Sequence, residues 1–322
     1  MLSHIKTKSK NNITRLKNNL KTTLTILGCG SALPTRDNFP TSQILEMRDK
    51  QFMIDCGEGT QIRMRQMSIK TNRLGHIFIS HLHGDHVFGL IGLISTFGML
   101  NRTADLHIHA VAELEIILTP QLKFFCDEIP FKIIFHAFNP RVHELIYDDR
   151  TVQVFTIPLK HRVPSCGFLF EEKPRERHII REMIDFYEIP TWRIPKIKQG
   201  EDFETKDGEL IVNEKLTTMP EKPKCFAYCS DTAYYEKIIP IIEGVDCLYH
   251  EATFMNDELI RAKNTQHSTA QQAATIALKA KVKQLIIGHY SARYVNKSGL
   301  LNEANAIFEK TVLGEDMKIY EF

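Results

Sequence analysis

The chain has 322 residues, of which 43% are hydrophobic and 25% are charged. This composition is typical of a globular protein with a buried core, and it excludes collagen-like, coiled-coil and wholly disordered chains. Lys and Arg total 41 against 39 Asp and Glu, so the net charge of +2 lacks the strong basic excess of many nucleic-acid-binding proteins.

Residues 1–21 carry six Lys or Arg and no acidic residue. They lack the apolar core and cleavage site of a signal peptide, so we predict a basic N-terminal tail followed by one domain over 22–322. The longest apolar stretch, 87–101, is too short to span a bilayer, and no membrane association is expected. Seven cysteines, an odd number set mostly in apolar runs, indicate reduced thiols in a cytoplasmic protein.

Short apolar runs and helical segments alternate along the rest of the chain, which predicts an α/β fold with strands covered on both faces. The predicted strands are 22–28, 43–46, 51–55, 76–80, 106–109, 151–159, 167–170, 225–229, 247–249, 284–287 and 317–320. The predicted helices are 60–67, 87–100, 112–124, 234–242, 269–279 and 303–308.

The segment 171–208 differs from its surroundings because it is rich in charge, holds three prolines and has few residues suited to a core. A short helix is predicted within it, at 177–187. We predict an insertion that projects from the body of the domain, since loops of this length inside compact domains are usually functional or disordered. A long surface loop without a function stays the alternative.

The segment 81–86 reads H-L-H-G-D-H and lies between a predicted strand and a predicted helix. Residues i and i+2 of an extended chain project to the same side, so His81 and His83 can bind one metal ion together. Asp85 and His86 follow the bend at Gly84 and can face a second ion. The alternative is a polar loop whose histidines bond only to backbone groups.

One turn cannot supply all the ligands of two ions, so further ligands are expected at the ends of other strands. His161, Asp231 and His289 each lie within about two residues of the end of a predicted strand. They are therefore candidate metal ligands. His107 and His109 also have i, i+2 spacing, but they lie inside a predicted strand and are interpreted as sheet residues.

Two further strand-end groups, Glu251 and His267, are candidates for acid–base chemistry. A capping-box pattern, Ser268 with Gln271 or Thr269 with Gln272, predicts that a helix starts directly after His267. A helix N-terminus favours an anion, so His267 is placed where a phosphate would dock. A carboxylate on its other ring nitrogen would orient His267 and raise its pKa, which suits a proton donor. Two unrelated loop residues remain the alternative.

Eight stretches of the chain carry a family resemblance. They read LGCGSALPT at 27–35, IDCGEGTQ at 54–61, HLHGDHVFGLIGL at 81–93, KHRVPSCG at 160–167, SDT at 230–232, HEAT at 250–253, HST at 267–269 and GHYSARY at 288–294. The histidine motif at 81–86 is shared by a whole superfamily of proteins. The last three stretches, taken together, are typical of one family within it. From about residue 23 to its end, the chain resembles the ribonuclease Z family, tRNA 3′-processing endonucleases of the metallo-β-lactamase superfamily.

This resemblance implies a metallo-β-lactamase sandwich of αββα layers that carries two Zn²⁺ ions per subunit at its edge. One ion would be held by His81, His83 and His161, the other by Asp85, His86 and His289, and Asp231 would bridge them. The resemblance thus assigns a place to every candidate ligand.

The resemblance also implies a projecting exosite arm that grips tRNA away from the cut, and a homodimer in which the arm of one subunit helps to hold tRNA for the other. The segment 171–208 falls where this arm belongs. Its far end holds three cations and no acid, so Arg193, Lys196 and Lys198 are the predicted RNA contacts. We expect the ring of Trp192 to pack within the arm rather than stack on a base.

The chain departs from the family pattern in two places. The arm reads I-P-T-W-R-I-P-K at 189–196, where a Gly-Pro-centred motif is usual. The loop at 34–39 reads P-T-R-D-N-F, where P-x-K-x-R-N is common. We expect these departures to affect the geometry of the arm and the discrimination against mature CCA ends. The candidate metal ligands match the family pattern.

The sequence therefore predicts a zinc-dependent endoribonuclease that removes the 3′ trailer from precursor tRNA after the discriminator base. Asp85 would orient the attacking water or accept its proton, His267 would protonate the leaving oxygen, and Glu251 would orient His267. A small-molecule phosphodiesterase or thioester hydrolase of the same fold is the alternative enzyme. A non-catalytic RNA-binding scaffold is the alternative of another class, and it would be expected to have lost ligands.

Overall fold

The computed structural model describes residues 21–36, 38–126 and 128–322. The predicted basic tail thus lies outside the described residues except for Lys21. The chain divides into two compact units. The larger unit holds the described residues up to Glu171 together with Lys224–Phe322, and the smaller unit is Glu172–Pro223.

The strands are β1 Thr23–Gly28, β2 Gly30–Ser31, β3 Ser42–Met47, β4 Lys50–Cys56, β5 Leu74–Phe78, β6 Leu106–Ala110, β7 Ile133–Ala137, β8 Leu145–Asp148, β9 Val152–Pro158, β10 Cys166–Glu172, β11 His178–Ile179, β12 Phe203–Glu204, β13 Leu210–Ile211, β14 Thr217–Thr218, β15 Cys225–Cys229, β16 Cys247–Glu251, β17 Leu285–Gly288, β18 Tyr290–Ser291, β19 Thr311–Leu313 and β20 Lys318–Glu321.

The α-helices are α1 Thr60–Gln66, α2 Gly84–Val87, α3 Gly89–Met99, α4 Glu113–Phe125, α5 Arg181–Phe186, α6 Ile194–Lys198, α7 Asn213–Leu216, α8 Leu259–Thr265, α9 Ala270–Lys279 and α10 Ser298–Asn305. Short 3₁₀ turns occur at Thr71–Arg73, Thr191–Arg193, Glu236–Ile238 and Asn256–Glu258. Within the described ranges, none of the helices is both long and apolar enough to cross a bilayer.

The larger unit contains two seven-stranded sheets. Their strand orders are β20-β1-β3-β4-β5-β6-β7 and β19-β17-β16-β15-β10-β9-β8. One core lies between the sheets, and alternate residues of β4 show how it forms, because Phe52 and Ile54 enter this core while Met53 faces the opposite way. A second core joins the outer face of the first sheet to α1, α3 and α4. Apolar residues of α9 and α10 pack on the second sheet, so the predicted αββα sandwich is confirmed.

The carboxyl ends of the parallel strands bring polar groups together. In the second sheet β15, β16 and β17 run parallel, with Cys229 beside His250 and Glu251 beside Gly288. In the first sheet β4 runs parallel to β5. Helix α3 can start close against the turn after β4 because its first residue is Gly89, where a Cβ atom would lie 2.0 Å from the Gly57 carbonyl oxygen. These strand ends build the site described below.

Two predicted helices of the larger unit differ from the structure. The segment 234–242 forms only the 3₁₀ turn Glu236–Ile238, because Pro240 lacks the N–H that a continuing helix needs. The helix predicted at 303–308 is α10 and begins earlier, where the Asn296 side chain accepts the Ser298 N–H at 2.9 Å. The edge strand β7 was not predicted, because its half-buried residues lack a clear alternation.

The smaller unit has a core of its own, formed by Ile189, Ile197, Phe203, Ile211 and Leu216. The expectation of few core-forming residues in this part of the chain is therefore wrong. The predicted end at 208 is also too early, because β14 at 217–218 pairs with β11 at 178–179 and returns the chain to the start of the unit. The helix predicted at 177–187 is α5, a shorter element.

Four histidines fill one end of the layer between the two sheets. His76 Nδ1 lies 3.1 Å from His109 Nε2, and His107 Nδ1 lies 2.8 Å from His136 Nε2. The two hydrogen-bonded pairs stack face to face, with ring centroids 4.7 Å and 4.5 Å apart. His107 and His109 are thus sheet residues, as the sequence analysis interprets them. Tyr147 of β8 packs against His76 from the opposite sheet.

The environment favours the neutral forms of His76, His109 and His136. Burial, followed by the neighbouring histidines and Lys50, lowers the pKa of His76 to about 4. Burial and the other three histidines lower the pKa of His109 to about 2, and burial lowers that of His136 as well. A histidine in the unfolded chain binds a proton near pH 6.5. In the folded protein these three histidines do not bind that proton until the pH is lower. The stability that the cluster provides is therefore present above pH 6.5 and is lost as the pH falls toward 4.

We predict that His76→Gln makes the free energy of unfolding less dependent on pH between 6.5 and 4. Removing one excluded proton should reduce the slope by about 1.4 kcal/mol per pH unit. Urea unfolding at several pH values, with a chelator present so that metal binding does not contribute, measures this slope. The control is His178→Gln, since His178 is exposed in the smaller unit. Equal slopes for parent, variant and control would contradict the assignment.

Candidate metal centre

The first ligand group forms where the extended chain after β5 meets the loop after β9. His81 Nε2 lies 2.9 Å from His83 Nδ1, which lies 3.3 Å from His161 Nε2. The three rings are inclined to each other by 73–80°. The ligand atoms of these histidines and of Asp231 all lie within 4.8 Å of one another, which suits one metal ion.

The second ligand group combines α2 with the residue after β17. Asp85, His86 and His289 also place their ligand atoms within 4.8 Å of one another. Asp85 Oδ2 lies 3.6 Å from the Nε2 atoms of both histidines. Nε2 of His86 and Nε2 of His289 are buried, and neither forms a well-directed hydrogen bond, although both lie close to the Asp231 carboxylate. Buried nitrogen atoms without such a hydrogen bond fit a metal-binding role, because buried polar atoms are usually hydrogen-bonded.

Asp231 lies between the two groups. Its Oδ1 atom is 3.8 Å from Nε2 of both His81 and His161, while its Oδ2 atom is 3.0 Å from His86 Nε2 and 3.2 Å from His289 Nε2. One carboxylate thus turns one oxygen toward each ligand group. This is the arrangement of a ligand shared by two metal ions.

The backbone at three strand ends adopts the left-handed conformation, which is uncommon for residues other than glycine. The φ angles are 56° at Asp55, 55° at Asp231 and 58° at His289. Asp55 is the penultimate residue of β4, while Asp231 and His289 follow the ends of β15 and β17. Strained backbone of this kind persists where the surrounding structure fixes it, and it is concentrated at functional sites.

The charges of the site suit metal binding. Burial lowers the pKa of His81, His83 and His161, which leaves these imidazoles in the neutral form that binds metal. Burial opposes ionisation of Asp231, but His289, His86 and His81 hold its pKa well below the usual range. Burial also opposes ionisation of Asp85, but His86 and His289 together hold the pKa of its carboxyl below the usual range.

Asp55 is a site residue that the sequence analysis missed. Its buried carboxylate accepts hydrogen bonds from the Ser80 N–H at 2.8 Å, the Ser80 hydroxyl at 2.9 Å and the Tyr228 hydroxyl at 2.7 Å. It also lies 2.7 Å from His86 Nδ1. Asp55 therefore orients the ring of His86, a candidate metal ligand. The sequence carries one signal of this role, since Asp55 is an acidic residue within the apolar run I-D-C at 54–56. That run is interpreted above only as the end of a strand.

Glu251 and His267 form a second polar unit beside the metal ligands. His267 Nδ1 lies 3.0 Å from Glu251 Oε1, and the buried Glu251 carboxylate also accepts the N–H groups of Thr232 and Ser268. Burial disfavours the charged form of His267, but Glu251 outweighs it and raises the pKa of His267 to about 9. At neutral pH the histidine therefore carries a proton.

The position of His267 is fixed by the start of α9. Thr269 caps this helix in a capping box with Gln272, which is one of the two predicted pairings. The ring centroid of His267 lies 5.2 Å from that of His161 and 5.5 Å from that of His289. A protonated imidazole thus stands next to both ligand groups, at the N-terminus of a helix.

The structure brings together all seven candidate ligands, and with them Glu251 and His267. The predicted RNA contacts lie in the smaller unit. Arg193 pairs with Glu201 at 3.7 Å, Lys198 pairs with Glu176 at 3.0 Å, and Lys196 is exposed on α6. Trp192 is 69% exposed, so the expectation that its ring packs within the arm is wrong.

Comparisons with known proteins bear on what this centre does. A family model described as "Anti-Pycsar protein Apyc1" matches residues 22–173, less than half of the chain. The chain is 58% identical to ribonuclease Z of Bacteroides thetaiotaomicron over 293 residues, which is 91% of this chain and 93% of that protein. It is equally identical to ribonuclease Z of Parabacteroides distasonis over 293 residues, 91% of this chain and 96% of that protein.

The fold is similar to that of a solved structure. The crystal structure of the short form of human tRNase Z superposes with a TM-score of 0.67 and covers 92% of this chain and 98% of that chain. The two sequences are 23% identical. This likeness bears on the fold alone.

We predict that Asp55→Ala lowers the affinity for zinc by about 10- to 100-fold, because His86 loses the carboxylate that orients it. Competition with a chromophoric chelator measures this affinity. The matched control is Asp246→Ala, which removes a buried carboxylate that accepts the Cys225 N–H at the opposite end of β15. The control should bind zinc as the parent does, and an equal loss in both variants would exclude a specific role for Asp55.

Proposed function

The chain belongs to the ribonuclease Z family, and from this premise we propose that it removes the 3′ trailer from precursor tRNA by cutting after the discriminator base, with two zinc ions per subunit as cofactors. It is a metal-dependent endoribonuclease that processes tRNA 3′ ends. The observation that carries the two-ion proposal is the Asp231 carboxylate, which turns one oxygen toward each ligand group. Imidazole and carboxylate ligands in such groups suit zinc.

The residues divide the reaction between them. Ions held by the two ligand groups would supply positive charge for the phosphate oxygens and lower the pKa of water. Asp85, kept as a carboxylate by His86, orients the attacking water and accepts its proton. His267 donates its proton to the leaving 3′ oxygen, and Glu251 holds its ring in place. The products are tRNA with a 3′-hydroxyl and a trailer with a 5′-phosphate.

The smaller unit is the proposed exosite arm, which binds tRNA through phosphate contacts. Arg193, Lys196 and Lys198 supply the cations, although two of them also pair with acidic residues of the unit. The exposed ring of Trp192 offers a surface on which a base can stack. These features support an RNA-binding role for the arm.

The protein is further proposed to act as a homodimer in the cytoplasm. Exposed apolar side chains mark the end of α3 and the outer side of α4, among them Met99 at 79%, Ile116 at 72% and Phe124 at 80% exposure. Exposed apolar patches of this kind are typical of protein–protein contacts. None of the seven cysteines, which all lie in the described ranges, forms a disulfide, and this supports a reducing compartment.

Incubation of the zinc-loaded protein with a tRNA that bears a 3′ trailer tests the proposed reaction. We expect one cut after the discriminator base, with the ends mapped by sequencing and by ligation to the 3′-hydroxyl. The matched control is His267→Ala, which should retain both metal ions and lose about 10²- to 10⁴-fold in rate. Cleavage at scattered positions, or full activity in the control, would contradict the proposal.

A hairpin can replace the smaller unit, because β10 and β15 are antiparallel neighbours and Glu171 lies opposite Cys225. We predict that replacing residues 172–224 by Asn-Gly, which favours a two-residue turn, preserves hydrolysis of a small aryl diester. Cleavage of tRNA should fall steeply through a higher KM. Loss of three phosphate contacts should also reduce the slope of log affinity against log salt by about 2.7.

The control for this deletion is the metal content and circular dichroism of the variant. A folded, zinc-loaded variant that cuts tRNA with the KM and salt dependence of the parent would exclude the smaller unit from tRNA binding.

A further inference from the structure

A pocket of about 590 Å³ opens in the larger unit next to the first ligand group. Leu82, which separates two of the metal-binding histidines, forms part of its wall. Val163, two residues after His161, forms another part. The pocket and the metal centre are therefore built on the same two loops.

The lining combines apolar surface with polar groups. Leu82, Val163 and Phe138 supply apolar side chains, while Asn139, Arg141 and Glu113 supply an amide, a cation and a carboxylate. The volume lies within the range of about 300–1,000 Å³ that is usual for small-molecule sites. Apolar walls with a few polar groups suit a flat aromatic ligand whose edges carry hydrogen-bonding atoms.

The polar groups of the pocket differ in how freely they can bind a ligand. The Asn139 side-chain oxygen accepts the Arg141 N–H at 3.0 Å, and the Asn139 N–H is bonded to Glu144. The Arg141 guanidinium is exposed and has no ion-pair partner among the described residues. Glu113 would repel a phosphate but can accept from the amino group of a base. The pocket thus suits a nucleobase better than a second phosphate.

We propose that this pocket binds the nucleobase next to the scissile phosphate. The inference rests on the proposed function, since a phosphate held at the metal centre carries one nucleoside on each side. The loops that hold His83 and His161 also form the pocket, so an RNA strand in the centre brings a neighbouring base to it. The base is either the discriminator base or the first base of the trailer.

The test combines a substitution that fills the pocket with RNA substrates that each lack one base. Ala112 lines the pocket and is exposed, so Ala112→Trp places a large ring in it. The matched control is Ala104→Trp, because Ala104 is also exposed but precedes β6, whereas Ala112 follows this strand. Three trailer-bearing tRNAs are compared: the parent RNA, one abasic at the discriminator position and one abasic at the first trailer position.

We expect Ala112→Trp to lower kcat/KM on the parent RNA by about 5- to 100-fold, which is the range for a lost stacked base. On the RNA that lacks the bound base, the same variant should have almost no effect, and this RNA identifies which base occupies the pocket. Arg141→Ala, a change at an exposed position, should lower kcat/KM by less. This loss should also disappear on the RNA that lacks the bound base. Ala104→Trp should match the parent protein on all three RNAs.

Equal losses for Ala112→Trp on all three RNAs, or no loss on any of them, would overturn the proposed occupant while the proposed reaction stands. Circular dichroism and zinc content establish that the variants are folded. A parent protein that cuts none of the three RNAs would instead overturn the proposed function, and the occupant of the pocket with it.

Discussion

The candidate metal centre depends on one buried carboxylate, that of Asp55. A charge withdrawn from water is costly unless hydrogen bonds and charges satisfy it, and Asp55 has four such contacts. These contacts tie the end of β4 to the chain after β5, to Tyr228 of the second sheet and to His86. The carboxylate therefore fixes the spacing of the two sheets at the edge where the ligands meet, and it fixes the tautomer of one ligand. Asp231 can face both ligand groups only because this edge is held in one arrangement.

His161, Asp231 and His289 could be predicted from the sequence because each follows the end of a strand, and strand ends are visible as boundaries of apolar runs. The other four candidate ligands could be predicted from their spacing in the segment 81–86. The role of Asp55 could not, since it follows from contacts between strands that are 25 and 173 residues away along the chain. The histidine cluster was hidden for the same reason: only the register of β5, β6 and β7 places His109 beside His136 and His76 beside His107. The core of the smaller unit was missed because its apolar residues are spread thinly between charges.

The histidines of this chain show how environment decides the chemistry of one residue type. Burial among other imidazoles keeps His76 and His109 neutral, and these residues only pack and share hydrogen bonds. Burial also leaves His81 neutral, but His81 lies beside Asp231 as a candidate metal ligand. His267 is also largely buried, yet the Glu251 carboxylate keeps it protonated. A protonated imidazole and neutral imidazoles can therefore lie side by side, with ring centroids about 5 Å apart.

The smaller unit is inserted between β10 and β15, at a position that does not alter the arrangement of the candidate ligands. The β10–β15 pair is in register up to Glu171 and Cys225, so the second sheet is complete on both sides of the insertion. Asp231 follows the opposite end of β15, and its place is set by the pairing of β15 with β16 rather than by the inserted residues. The insertion can consequently change in sequence while the ligands stay fixed. This separation accounts for a chain whose smaller unit departs from the family pattern at 189–196 while its candidate metal ligands match that pattern.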